Sequence, residues 1–220
     1  MPAFLAAVAC GAEWLELDVR LSRDQVAVVF HDEDLNRLTG RPDLTCDLTA
    51  AELAATPLCV PTLADVIRGV PSSVSIYVEM KADAARPDDE GRSLLLERCL
   101  ELVGPDSVHA LGSFDSCLVR GSLAAGRRTV LGVSMASELD VLAPGEAEQL
   151  LACCVQWGAL DEALVDRVRE IGAELWTWTV DGEAAIDHVM QFGVDAICTN
   201  DVTATRQILA ARGQSRDSRR

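Results

Sequence analysis

The chain has 220 residues, 49% of them hydrophobic and 25% charged, which suits one folded domain with a full core and excludes a disordered chain. Its net charge of -16 argues against a nucleic-acid or anionic-membrane surface, whose phosphates it would repel. An anionic substrate would therefore need a local cation, either a bound ion or a side chain.

The opening "PAFLAAVACG" reads as a helix, Pro2–Cys10, stopped by Gly11. It carries no Lys or Arg and is too short to span a bilayer. No other run is long enough for a membrane helix, and the absence of targeting signals gives the expectation of a cytoplasmic protein. Eight cysteines are present, with no C-x-x-C pair and no Cys/His zinc spacing. They are expected to be reduced thiols, most of them packed as small hydrophobes.

From there β-rich runs alternate with helical patterns. Strands are expected over Trp14–Val19, Ser75–Lys81, Ser107–Phe114, Thr129–Met135, Cys153–Trp157, Glu174–Val180 and Ala196–Thr199. Helices are expected over Leu63–Gly69, Gly91–Leu102, Asp115–Ala125, Pro144–Ala152, Asp161–Ile171, Gly182–Gln191 and Ala204–Ala211. Repeated βα units imply a parallel sheet with right-handed crossovers, either open and doubly wound or closed into a barrel. One segment departs from this rhythm: "VAVVFHD" follows "LELDVRLS" after the turn residues Arg23-Asp24-Gln25, as a hairpin excursion between two core strands. A single domain is expected over residues 1–212, and residues 213–220, "GQSRDSRR", form a polar tail expected to be disordered.

Several polar residues sit where a buried strand should be apolar. In "WLELDV", side-chain alternation puts Leu15, Leu17 and Val19 on one face and Glu16 and Asp18 on the other. "SIYVEMKAD" repeats the pattern, with Tyr77, Glu79 and Lys81 on one face. Neighbouring strands lie about 4.8 Å apart, so Glu79 can meet Glu16 and Asp18 at the C-terminal rim. Three carboxylates there suit a hard cation, Mg²⁺ or Ca²⁺. Lys81, the sole lysine, lies one layer above Glu79 and is placed for a phosphate oxygen or an oxyanion. A salt-bridged, solvated edge is the plainer reading of any one Glu-x-Asp. Its repetition on two strands at the rim where barrel enzymes keep their sites favours chemistry. His31 closes the excursion as a candidate general acid or base, and Asp32 is free either to orient it or to face solvent. His109, at a strand start, and His188, within a helix, read as structural. Of the paired Trp176 and Trp178, the second lies nearer the C-terminal end and is the better pocket residue.

Taken in order, "AFLAAVACGAEWLELDVRLSRDQVAVVFHDEDLNRLTG", "PTLADVI", "VEMK", "GSFD", "LWTWTV" and "GVDAICTND" resemble the glycerophosphodiester phosphodiesterase family over nearly the whole chain. The resemblance implies a TIM barrel, (β/α)8, and metal-dependent hydrolysis of glycerophosphodiesters to glycerol 3-phosphate and an alcohol. It implies Glu16, Asp18 and Glu79 as ligands of Mg²⁺ or Ca²⁺, and His31 as one of two acid–base histidines. Lys81 is then similar to the phosphate-contacting lysine, Trp178 to the pocket tryptophan, and Arg20 to Asp34 to the family's insertion.

Family members open with a His-Arg-Gly strand and a Pro-Glu-Asn stretch, which this sequence does not contain. The expectation is a barrel lacking its first strand and the start of its first helix, with seven core strands and impaired catalysis. Unpaired edges would then favour self-association. Gln25 also stands where the family usually has Gly. Two other readings share the fold: an inactive barrel kept as a binding or regulatory module, and a phospholipase D-like phosphodiester-cleaving enzyme.

Overall fold

The computed structural model describes residues 1–82 and 89–217. Its centre is an eight-stranded sheet in the order β2-β1-β3-β4-β5-β6-β7-β8. Seven strands run parallel, each to the next: β1 (Trp14–Leu21), β3 (Ser75–Met80), β4 (Ala110–Ser113), β5 (Thr129–Val133), β6 (Ala152–Gln156), β7 (Glu174–Trp178) and β8 (Ala196–Ile197). β2 (Ala27–Val29) turns back antiparallel on the end of β1. The helices between them are α1 (Pro2–Ala9), α2 (Asn36–Thr39), α3 (Ala50–Ala54), α4 (Leu63–Gly69), α5 (Asp89–Leu102), α6 (Ser116–Ala124), α7 (Pro144–Ala147), α8 (Glu162–Glu170), α9 (Glu183–Val189) and α10 (Val202–Asp217). This is the α/β, TIM-type architecture, with the seven core strands that the sequence leads one to expect.

Alternation along the strands divides the core. Leu15, Leu17 and Val19 of β1 and Ile76, Val78 and Met80 of β3 face outward, packing with Leu63, Val66, Leu95 and Leu118 of the helices. The inward face is smaller and aromatic, built from Tyr77, Ala110, Val130, Ala152, Cys154 and Trp176 with Trp14 and Trp178 at its margin. Burying one such aliphatic side chain is worth about 1.5–3 kcal/mol, so the outward face supplies most of the cohesion and leaves the inward face free to carry polar groups.

The ends of the parallel set, β1 and β8, do not pair with each other. A cleft of about 490 Å³ lies between them, lined by Phe4 and Ala7 of α1, Trp14 and Glu16 of β1, and Ala196 next to Arg206 and Leu209 of α10. Arg206 Nη1 donates to the Gly11 carbonyl across it at 3.0 Å. Tyr77 Oη and Thr177 Oγ1, both on residues lining this cleft, are buried without a hydrogen-bond partner among the described residues.

The structure corrects several boundaries. The strand expected from Ser107 begins at Ala110, because Ser107 is spent on a turn, accepting from the His109 amide and donating its own amide to Gly104. The helix expected over Pro144–Ala152 stops at Ala147, since Ala152 pairs with Val130 in the sheet. Helix α10 runs through Asp217, into the segment expected to be disordered, while residues 218–220 lie outside the described residues. The excursion is also larger than the hairpin expected. It continues through α2 and α3 to Thr62, held by a separate core of Val28, Phe30, Leu35, Leu53 and Val60. Its tight turn places Gln25 at φ 62°, the left-handed region where glycine is at ease.

Candidate active site

The register of β1 and β3 assembles the site. Asp18 pairs with Glu79 and Glu16 with Tyr77, so the three acids come from adjacent strands on the inward face, toward their C-terminal ends. Each offers a carboxylate oxygen, and these atoms lie within 4.8 Å of one another. Such closeness costs energy. Burial, then the charges of Asp18 and Glu79, push Glu16 up to about 8, although Lys81 opposes the shift. Burial likewise raises Glu79, with Lys81 pulling the other way. An all-oxygen donor set whose buried members resist ionisation fits a hard divalent cation, because the ion would offset the repulsion.

Lys81 emerges just beyond β3, its amide tied to Val19 O at 3.0 Å. Its side chain turns back into the acids: the ammonium donates to Glu79 Oε1 and lies 3.1 Å from Asp18 Oδ1. Burial disfavours the charged lysine, but Glu79 and Asp18 outweigh burial and raise its pKa. The ammonium thus sits against the acids while still lining the cavity they share with His31.

His31 borders the same cavity of about 220 Å³. Its carbonyl accepts from Arg20 Nε at 2.9 Å, which fixes the chain where the excursion returns. Its Nδ1 is 2.7 Å from Asp32 Oδ1, and Asp32 Oδ2 accepts from Arg37 Nε at 2.7 Å. The Arg37 hydrogen bond, helped by His31, holds Asp32 below the ordinary carboxylate range. An ionised Asp32 selects the Nδ1–H tautomer and leaves Nε2 as the ring atom available for proton exchange. Of the two options left open for Asp32, orientation of His31 is the one seen.

The other two histidines lie elsewhere. His109 Nδ1 accepts from the Ile76 amide at the N-terminal end of β3. His188 packs edge-on against Trp157 and Phe192. Trp178 lines the cavity, donating from Nε1 to Cys154 O at 3.1 Å, whereas Trp176 is buried against Trp14 in the barrel.

Four further lining residues, Phe114, Cys154, Thr179 and Cys198, escaped the sequence reading. Phe114 stands edge-on to Trp178, ring centroids 5.5 Å apart, and its ring lies 5.6 Å from Lys81 Nζ. It folds over the barrel because Gly132 has no side chain: a Cβ there would come within 2.7 Å of the ring. The signal available was position, one residue past the end of β4. Cys154 and Cys198 also border the cavity. All eight cysteines are free, but only Cys46, Cys99, Cys153 and Cys154 are buried, so the expectation that most are buried fails for half of them.

No helix among the described residues is long and apolar enough to cross a membrane. The profile of the glycerophosphoryl diester phosphodiesterase family matches residues 1–204. A probable glycerophosphodiester phosphodiesterase 2 of Mycobacterium tuberculosis is 29% identical, over 97% of this chain and 86% of its own length. A glycerophosphodiester phosphodiesterase of Bacillus subtilis is 24% identical, over 86% of this chain and 74% of its own. Among solved structures, a glycerophosphodiester phosphodiesterase of Thermotoga maritima superposes with a TM-score of 0.79 at 26% identity, covering 94% of this chain and 90% of that one. An Oleispira antarctica phosphodiesterase, solved with its product sn-glycerol 3-phosphate, gives 0.80 at 19% identity, covering 94% and 89%. With family profile, relatives and fold in agreement, the chain belongs to the glycerophosphoryl diester phosphodiesterase family, enzymes that hydrolyse glycerophosphodiesters.

Proposed function

We propose that the chain hydrolyses glycerophosphodiesters to glycerol 3-phosphate and an alcohol in a reaction that depends on a divalent cation, Mg²⁺ or Ca²⁺. The observation that carries this is the convergence of Glu16, Asp18 and Glu79 within 4.8 Å, beside His31 and Lys81, at one cavity. These three acids would hold the cation, which when bound supplies a Lewis acid that draws charge from the phosphoryl oxygens. Lys81 supplies a second positive charge for those oxygens, and Trp178, backed by Phe114, walls the pocket and keeps water from its apolar side. His31, oriented by Asp32, exchanges a proton at Nε2 with the water or the departing alkoxide.

Among the described residues acid–base work falls to His31, since His109 and His188 lie away from the cavity. The unpaired edges of β1 and β8 favour self-association at high concentration, to be checked by sedimentation.

The test is release of glycerol 3-phosphate from glycerophosphodiesters with and without EDTA, beside Glu79→Gln. Release that is abolished by EDTA and restored by Mg²⁺ or Ca²⁺, together with weakened cation binding in the variant, is expected. Release indifferent to EDTA would sink the metal-dependent reading.

A further inference from the structure

Lys81 is the only lysine in the chain, and it lies inside the carboxylate cluster instead of beside it. Its ammonium donates to Glu79 Oε1 and sits 3.1 Å from Asp18 Oδ1, with 21% of the side chain exposed. Those two oxygens belong to two of the three acids that converge within 4.8 Å. Each of those carboxylates keeps further lone pairs, so an ion held between Asp18 and Glu79 would compete with the ammonium chiefly through its charge. Two cations so close to one pair of carboxylates repel each other strongly in a partly buried site. The aromatic face of Phe114, 5.6 Å from Nζ, offers a cation a place just outside the cluster.

We infer that Lys81 is an exchangeable internal cation: it occupies the divalent-cation position when that position is otherwise empty, and an arriving ion drives it out toward Phe114 and the cavity. This rests on the metal-dependent reading above and adds an order to it. The lysine becomes available to a phosphate only after the ion has released it from Asp18 and Glu79, so cation and anion bind in sequence and each favours the other. The exchange also sets the cation affinity, because every ion that binds must displace an ion pair already formed.

The test is calorimetric titration of Mg²⁺ and Ca²⁺ into wild type, Lys81→Met and Lys81→Arg at fixed ionic strength. Lys81→Met should bind the cation about tenfold more tightly or better, since it has no ammonium to displace, while Lys81→Arg should stay near wild type. The wild type supplies an independent measurement that needs no variant to fold. Lysine labelled with ¹³C at Cε gives one side-chain resonance, and that resonance should move during the titration with the same midpoint as the heat. Affinity that is unchanged or weaker in Lys81→Met, or a lysine resonance unmoved at saturating cation, overturns the exchange while leaving the metal site standing. Absence of binding to any of the proteins overturns the metal reading itself, and the exchange with it.

Discussion

Glu16 makes the protonation of the site measurable as stability. Its folded-state pKa is about 8, against an ordinary 4.5, chiefly because it is buried and secondly because Asp18 and Glu79 face it. A group raised in the folded state has its full contribution below the unfolded pKa and loses it as pH climbs to the folded value. Below pH 4.5 Glu16 is therefore neutral in both states and costs nothing. Between 4.5 and 8 the unfolded chain ionises first, and the native state falls behind by about 1.4 kcal/mol per pH unit. That amounts to roughly 1 kcal/mol at pH 5.5 and roughly 3 kcal/mol at pH 7, levelling off above pH 8. Glu16→Gln keeps the shape and removes the titration. In EDTA, urea unfolding should show the variant gaining on wild type as pH rises from 5.5 to 8.5, by at least about 2 kcal/mol. Saturating Mg²⁺ or Ca²⁺ should close most of that gap, because wild type recovers the lost stability by binding the ion. A wild-type-minus-variant difference that stays constant across this range would falsify the account of Glu16 as a buried, mutually repelled carboxyl.

Other predictions concern the supports of the site. Asp32→Asn should leave cation affinity unchanged but cut glycerol 3-phosphate release by about tenfold or more, because a neutral partner no longer selects the His31 tautomer; equal turnover in a steady-state assay would remove Asp32 from the positioning role. Gly132→Ala should force the Phe114 ring off Trp178, raising KM for a glycerophosphodiester with little change in melting temperature, and an unchanged KM would show that the aromatic wall does not touch substrate. Gln25→Gly should stabilise the chain by about 0.5–1 kcal/mol in denaturant unfolding, by relieving the φ of 62°. Loss of stability there would mean that the Gln25 side chain makes contacts worth more than the strain.

The sequence carried the fold where burial left a periodic trace. β1 alternates inward and outward with no exception from Trp14 to Val19, which made Glu16 and Asp18 conspicuous before any geometry was known. Glu79 followed because a second strand repeated the pattern. Legibility failed where tertiary contacts decide the local structure. β8 is only Ala196–Ile197, and its extent reflects pairing with β7 more than any propensity. Phe114 lies outside a strand, and its place over the cavity depends on the missing side chain of Gly132, across the β4–β5 register. Lys81 shows the limit most plainly. Alternation gives the direction in which a side chain leaves the backbone, but four methylenes of freedom let electrostatics choose where the charge ends, and it ends on Asp18 and Glu79.

The unpaired seam between β1 and β8 bears on access as well as on cohesion. Glu16, Tyr77, Cys154 and Cys198 line both the cleft at the seam and the cavity at the barrel mouth, so the two spaces share a wall and the site can be approached from the flank. A small apolar molecule lodged in that flank would lie against Glu16 from the side away from the barrel mouth.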